Sequence, residues 1–578
     1  MSLSQNLARE FQEFALLMQL DGANVFKVNA YTKAIEVLQT QSLDLEAHVK
    51  NNSLTSIEGI GKGIAEKITE YCQEGSIAEL NDLRTKYPPG LLEMTSIPGF
   101  GAKKAKAVFE ELGLTTLQEL QSACEDGRVA GLKGFGKKTA EKILEGIEQR
   151  KKHSGRFRIN QAWSAALPLL SFLRELPEVE RAEVAGSLRR SKETVKDLDF
   201  VCATTNPETV MKAFCNHETV ERIIGSGGTK ASVVLFSGIG ADLRCVSAKQ
   251  FPFTLQHFTG SKEHNTALRS RAKELGLKSN EYGIFPEGNE QSLEAKTEED
   301  VYKLLKLEWI APERRENRGE IAQAEKGKQP KLISHSDLRG LLHLHTTYSD
   351  GKPTLKEYAD WAVENNIQWM GITDHSQAAA YAGGMKPEQV RQQWEAIDSL
   401  NSTYADQGIR LLKGVESDIL KNGDLDYDSE VLAKFDFLIA SVHSQFQLKQ
   451  EEQTARIIAA IENPYTDILG HPTGRLLLKR EGYEVDQLAL IQACAAHGVA
   501  IEINCNPYRL DLDWRMVEKA LEHGVMLCLS PDAHAMDGLG DVCYGLGIAR
   551  KAGCEAANIL NTLSSDEFLK ALRRNQTS

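Results

Sequence analysis

Residues 341–350 read LLHLHTTYSD. An apolar run stops at two histidines, His343 and His345, whose spacing puts both on one face of a strand. Asp350 follows in the loop. The pattern recurs as far as residue 534: apolar runs end at Asp374-His375, Glu416, His443, His471, Asn504 and Asp532-x-His534, each followed by a helix-length stretch. Strands that carry a metal-type ligand at their carboxyl end, repeated round a ring, are how a (β/α) barrel assembles an active site. A single histidine in such a place is ordinarily a satisfied core or surface residue. Recurrence at seven strand ends points instead to a metal-dependent hydrolase.

Upstream of this barrel lies more chain than one hydrophobic core supports, since the protein has 578 residues. Three or more domains are expected. No apolar run approaches the roughly 20 residues of a membrane span, and the start MSLSQNLARE lacks the pattern of a signal peptide. The ten cysteines include no CxxC pair, which fits reduced thiols and a cytoplasmic location. The net charge of −13 excludes a generally basic nucleic-acid binder, and residues 1–150 carry 17 Lys/Arg against 21 Asp/Glu. Contacts to nucleic acid would have to be local, made by clustered lysines and backbone amides.

Such clusters recur in the amino-terminal third. The stretches SIEGIGKGIAEKI (56–68), SIPGFGAKKAKAVF (96–109) and GLKGFGKKTAEKIL (131–144) share a Gly-apolar-Gly turn that opens a Lys- and Ala-rich helix. The start of such a helix presents unpaired N–H groups that suit a phosphate. Gly59, Gly61 and Lys62, Gly99, Gly101 and Lys103, and Gly134, Gly136 and Lys137 are the candidate DNA contacts. One copy would read equally well as a plain αα-hairpin; three copies with following lysines favour DNA.

Between these repeats and the barrel, Gly186-Ser187-Leu188-Arg189-Arg190 precedes Lys196-Asp197-Leu198-Asp199, and Ala241-Asp242-Leu243-Arg244 follows. Alternation puts Asp197 and Asp199 on one sheet face, and Asp242 on a neighbouring strand completes a group of three carboxylates. Their mutual repulsion calls for divalent cations, Mg²⁺ or Mn²⁺, of the kind that organise nucleotidyl transfer. The Gly186-Ser187 turn and Arg190 would face the triphosphate.

The block HFTGSKEHNTALRSRAKELGLKSNEYG (257–283), taken with the hairpins, resembles bacterial family X DNA polymerases, relatives of DNA polymerase beta that carry a PHP domain. The resemblance covers essentially the whole chain. It implies a multidomain fold: an α-helical helix-hairpin-helix region, an α+β nucleotidyltransferase palm and thumb, and a distorted (β/α)7 PHP barrel. The implied divisions are 1–85 for a DNA-end-binding domain, 86–155 for fingers, 156–250 for the palm and 251–311 for the thumb. A polar linker at 312–334 and the barrel at 335–578 follow. By the same resemblance Asp197, Asp199 and Asp242 are catalytic metal ligands, and Gly186, Ser187 and Arg190 bind the triphosphate. Phe258 and Gly260 pack on its sugar, and Asn265 and Arg269 lie near the nascent pair and template. Lys27, Tyr31 and Lys33 would meet a 5′-phosphate at a gap. Lys67 holds the place of a lyase nucleophile, although an exposed lysine there is ordinarily a solvated or phosphate-binding charge. Two departures stand out: Lys196 where the family has glycine, and His257 where many members have tyrosine.

In the barrel the resemblance implies the ligand set His343, His345, Asp350, His375, Glu416, His443, His471, Asp532 and His534. Nine ligands exceed the needs of one ion, and their imidazole content favours a cluster of Mn²⁺, Zn²⁺ or Fe²⁺. Arg475 and Arg509 either hold substrate phosphate or form ion pairs at the rim. The implied function is gap-filling DNA polymerisation from dNTPs in DNA repair, by a monomer, with 3′→5′ exonuclease activity in the barrel. Abasic-site cleavage or 3′-end trimming would be further uses of that cluster. A barrel acting as a small-molecule phosphatase, or as structural support alone, is the alternative.

Overall fold

A computed structural model describes residues 3–40, 45–57, 59–95, 97, 100–153 and 155–576. Gly99, one of the candidate DNA contacts, lies outside them. The chain divides into two compact units, Met1–Gly155 and Arg156–Ser578.

The first unit is helical, from Leu3–Asp21 to Lys137–His153. Its core gathers Leu7, Phe11, Phe14, Tyr31, Ile68, Leu91, Phe100 and Ile143. The apolar residue between the two glycines of each repeat, Ile60, Phe100 or Phe135, is buried in that core. Burying this residue pins the turn. Lys62, Lys103 and Lys137, just beyond, are left exposed.

The second unit begins with a five-stranded sheet: β1 (Val179–Val184), β2 (Asp197–Thr204), β3 (Val220–Ser226), β4 (Lys230–Leu235) and β5 (Gly240–Val246). The strand order is β1-β2-β5-β4-β3, with β2 and β5 parallel. Helices Ile159–Glu175 and Pro207–Cys215 contribute Leu169, Leu173, Val210 and Phe214 to its core. β3 carries little strand signal in its sequence. It is an edge strand whose Ile223 and Ile224 are exposed, so it lacks the apolar alternation that marks a buried face. Helices Phe251–Thr259 and Lys262–Glu274 and a hairpin of Leu277–Asn280 with Gly283–Pro286 follow.

Residues 312–334, read from their polarity as a linker, are packed. They form a short helix, Glu320–Glu325, and bury Arg315, Glu320, Ala324 and Ile333. The charges of Glu313, Arg315, Glu316 and Glu320 are spent on internal partners, which composition alone does not reveal.

Seven parallel strands then pair in chain order: β6 (Gly340–Leu344), β7 (Trp369–Ile372), β8 (Arg410–Asp418), β9 (Phe437–Ser441), β10 (Ile468–Leu469), β11 (Ala500–Asn504) and β12 (Leu527–Ser530). A bridge between Leu344 and Ala533 brings the last strand back to the first, so the barrel is nearly closed. Its amino-terminal end is filled by Leu342, Trp369, Phe437 and Cys528. Phe568 from helix Ser565–Ala571 stacks on Trp369 with ring centroids 4.5 Å apart. With that end plugged, the polar residues that the strands carry gather at the carboxyl ends.

Candidate active sites

The palm site grows from the parallel pairing of β2 with β5, whose register sets Asp199 opposite Asp242. Asp197 lies two residues earlier on the same face. Gly186, at φ +62°, opens the turn that follows β1, and a Cβ there would stand 2.0 Å from Asp199 Oδ2. Only glycine lets the backbone approach the carboxylate this closely. Burial, with Asp197 and Asp242 adding to it, pushes the Asp199 carboxyl up to about 6. Lys230 Nζ lies 2.7 Å from Asp242. Among the described residues, groups of three or more potential ligand atoms within 4.8 Å of one another occur in the barrel and not in the palm. Uncompensated carboxylates repel one another, and Lys230 already supplies a positive charge to one of them.

The expected nucleotide contacts divide. Ser187 is half-buried beside Gly186, Lys196 is exposed, and Arg269 is exposed. The Arg190 guanidinium donates to the Thr259 carbonyl at 2.6 Å and pairs with Glu316 at 3.2 Å. Phe258 lies under Arg244, whose guanidinium is 4.3 Å from its ring centroid. His257 stands against Phe258, and burial pushes its pKa down. Asn265, expected near the nascent pair, is instead buried. Its amide donates to the His257 carbonyl at 2.6 Å and accepts from Gln256 at 3.0 Å, so it fastens the end of helix Phe251–Thr259 beside Gly260.

In the amino-terminal unit Tyr31 packs its ring in the core, edge-on to Phe11 and Phe14 at 5.0 and 4.9 Å. Lys33 is exposed. Lys27 pairs with Glu79 at 2.8 Å, and Lys67 pairs with Glu70 at 2.9 Å.

In the barrel all nine expected ligands converge. A bulge between Leu342 and Leu344 turns His343 to the interior, where Leu342 already points. His343, His471 and Asp532 have positive φ, at 64°, 22° and 52°. That region is disfavoured for side chains other than glycine, so backbone strain is concentrated at ligand positions. Glu416 is the hub: His343, His443 and His471 come within 3.2, 3.2 and 2.9 Å of its Oε1, and His375 lies 2.9 Å from its Oε2. His345 approaches Asp532 at 3.3 Å, and His534 approaches Asp350 at 3.3 Å.

The electrostatics of the set are those of a cation-binding site. Burial, then His375 and His534, push His345 down to about 3, leaving it neutral and able to donate a lone pair. For His443 burial is outweighed by Glu416 and Asp418, which lift it to about 10. His534 is lifted against burial to about 9 by Asp350 and Asp532. His343 Nε2, both nitrogens of His345, Glu416 Oε2 and His471 Nδ1 are buried with no hydrogen-bond partner. Orphaned donor atoms of this kind, converging from separate strands, suit bound cations.

Two supporting residues, Glu502 and Asp418, were missed, and Asp374, read as a ligand-type residue at a strand end, has a supporting place instead. Glu502 accepts from His343 Nδ1, and its other oxygen accepts from the His471 N–H at 3.0 Å. Asp418 holds His443 Nδ1. Asp374 accepts from Thr346, Ser349 and Gln393, so it braces the first loop and does not join the ligands. The signal was a charged residue at an inward position of an apolar strand, as in Ala500-Ile-Glu-Ile-Asn504. Asn504 donates to Glu502 and Asp532. Arg475 bonds the Arg509 and Leu510 carbonyls and pairs with Asp513 at 3.2 Å, which makes it a rim ion pair. Arg509 reaches the cluster, 3.3 Å from Asp532.

Residues 3–77 match a helix-hairpin-helix domain, 91–149 a SAM-like helix-hairpin-helix tandem, 254–316 the DNA polymerase beta thumb and 342–506 the PHP domain. The chain is 39% identical over 573 residues to the DNA polymerase/3'-5' exonuclease PolX of Bacillus subtilis (strain 168), covering 99% of each chain. The chain is a family X DNA polymerase with a carboxy-terminal PHP domain. This family X chain is also 31% identical over 253 residues to a probable phosphatase of Thermoanaerobacter sp. (strain X514), covering 40% of its own length and 94% of the relative. A probable phosphatase of Caldanaerobacter subterraneus subsp. tengcongensis is 30% identical over 231 residues, 36% of this chain and 80% of the relative. No helix among the described residues of this family X polymerase is long and apolar enough to cross a membrane.

Proposed function

We propose that this chain fills short gaps in DNA at the palm and removes nucleotides from 3′ ends at the barrel. The observation that carries the reading is the presence of two separate sites suited to divalent cations in one chain: Asp199 opposite Asp242 beside Gly186, and nine imidazole and carboxylate ligands converging in the barrel. Full-length similarity to a relative named for both activities supports it. Asp197, Asp199 and Asp242 would hold Mg²⁺ or Mn²⁺, and the barrel set would hold Mn²⁺, Zn²⁺ or Fe²⁺. When bound, such ions neutralise phosphate charge and lower the pKa of an attacking hydroxyl or water.

The chain's own residues orient the reactants. Ser187 and the turn at Gly186 face the triphosphate, Phe258 packs on its sugar, and Arg269 reaches the template. The exposed Lys62, Lys103 and Lys137 grip DNA backbone without reading sequence. In the barrel Glu502 and Asp418 fix the tautomer and direction of His343 and His443. Arg509 stands where it would meet a substrate phosphate.

The test uses one gapped primer-template with dNTPs. Asp199→Ala should abolish primer extension and leave strand shortening; His345→Ala should do the reverse. Loss of both activities in both variants would refute two independent sites. The similarity of the barrel to probable phosphatases favours a second reading, a barrel acting on small phosphomonoesters. Phosphate release from a free monoester, without DNA shortening, would select it.

A further inference from the structure

The palm turn that faces the triphosphate continues into residues 190–193, and these are held from the barrel side. Lys551, in the barrel helix Val542–Ala552, is fully buried. Its ammonium donates to the Arg190 carbonyl at 3.0 Å, the Glu313 carbonyl at 3.1 Å and the Glu316 carboxylate at 2.6 Å. Glu316 also pairs with Arg190 at 3.2 Å and Lys192 at 3.0 Å. One helical turn earlier, Gly547 packs so closely on the palm that a Cβ there would stand 2.8 Å from Ser191 Oγ. Arg475 of the barrel lies 3.6 Å from Glu193. Palm and barrel also share one apolar cluster, which includes Leu188, Phe200, Leu546 and Ile548.

We propose that Lys551 is a positioning residue for nucleotidyl transfer, through which the barrel holds the triphosphate-facing turn Gly186–Arg190 in its working geometry. The chain of contact is short. Gly186 abuts Asp199, and four residues later the carbonyl of Arg190 is bonded to Lys551. A buried charged network of this kind has few alternative arrangements, because every member left unpaired carries a large desolvation cost. None of the nine barrel ligands takes part in it. The barrel therefore serves the polymerase site mechanically, apart from any chemistry of its own.

This inference rests on the reading that Ser187 and its turn bind the triphosphate. The test measures kcat and KM for dNTP on gapped DNA with the full-length protein, and 3′-end removal in parallel, for Lys551→Met, Lys551→Arg, Gly547→Ala and Ser187→Ala. Lys551→Met should raise the dNTP KM about tenfold, a size usual for coupling between sites, and change kcat less. Gly547→Ala should shift KM the same way, and Lys551→Arg should restore most of the affinity. Removal of 3′ ends should be unchanged in all three. A rise in KM for Ser187→Ala with none for Lys551→Met or Gly547→Ala would overturn the inference and leave the triphosphate reading standing. An unchanged KM in Ser187→Ala would overturn the reading beneath it. Equal loss of both activities, with a lowered thermal midpoint in both barrel variants, would show a purely structural role and also overturn it.

Discussion

Glu79 stands between two lysines, 2.8 Å from Lys27 and 3.6 Å from Lys67. Lys27, expected at the 5′-phosphate of a gap, and Lys67 are therefore already partnered by a carboxylate. The wild-type protein should bind gaps with a 5′-phosphate and with a 5′-hydroxyl almost equally. Glu79→Ala should open a preference for the phosphate of a few-fold, in line with the roughly 0.2–1 kcal/mol of an exposed pair, and the preference should fade with added salt. Fluorescence anisotropy on the two gaps decides it; a strong 5′-phosphate preference in the wild type would refute this account.

Lys67 carries a related expectation. Its pairs with Glu70 and Glu79 outweigh burial and raise its pKa, whereas an amine nucleophile must lose its proton. Borohydride trapping on DNA with an abasic site should give little or no covalent adduct at neutral pH. An adduct abolished by Lys67→Ala would contradict this.

Glu502 and Asp418 each grip an imidazole on the side away from the cluster. Glu502→Gln and Asp418→Asn should lower metal affinity by roughly 10- to 100-fold and reduce 3′-end removal, while primer extension persists. Elemental analysis after gel filtration, across graded chelator, reports the first effect. Unchanged metal retention in both variants would remove the supporting role assigned here.

Glu298 joins Arg315 and Arg189, at 2.5 and 2.9 Å, within the second unit. Against the penalty of burial, these guanidinium groups hold its carboxyl down to about 2, from an ordinary 4.5. A folded pKa below the unfolded one means that the pair stabilises above about pH 4.5 and that this contribution is lost as pH falls toward 2. Glu298→Gln leaves Arg315 buried and unpaired, a change that costs about 3–5 kcal/mol. Urea unfolding should show the largest gap between wild type and variant near neutral pH, narrowing below about 4.5. A gap independent of pH would mean that ionisation of Glu298 is not its source.

Much of the barrel was legible because its signal is periodic. Most of the apolar runs are long enough to declare a strand, and a ligand follows each at the same end. Residues whose partners lie on another element were not legible. Asn265 was assigned to the nascent pair, yet its amide is consumed by His257 and Gln256. Tyr31, expected at a phosphate through its hydroxyl, has its ring taken up in an aromatic core with Phe11 and Phe14. Polarity in residues 312–334 suggested solvent, and the tertiary structure turned it into a buried charge network around Arg315 and Glu316.

By itself the sequence determined which chemistry this protein carries, because alternation along strands places Asp197 with Asp199 and delivers nine ligands to one end of a barrel. Only the tertiary structure decided which polar groups remain free to use that chemistry. A side chain's identity is local, but whether its charge is already satisfied depends on neighbours hundreds of residues away, as Lys551 is from Arg190.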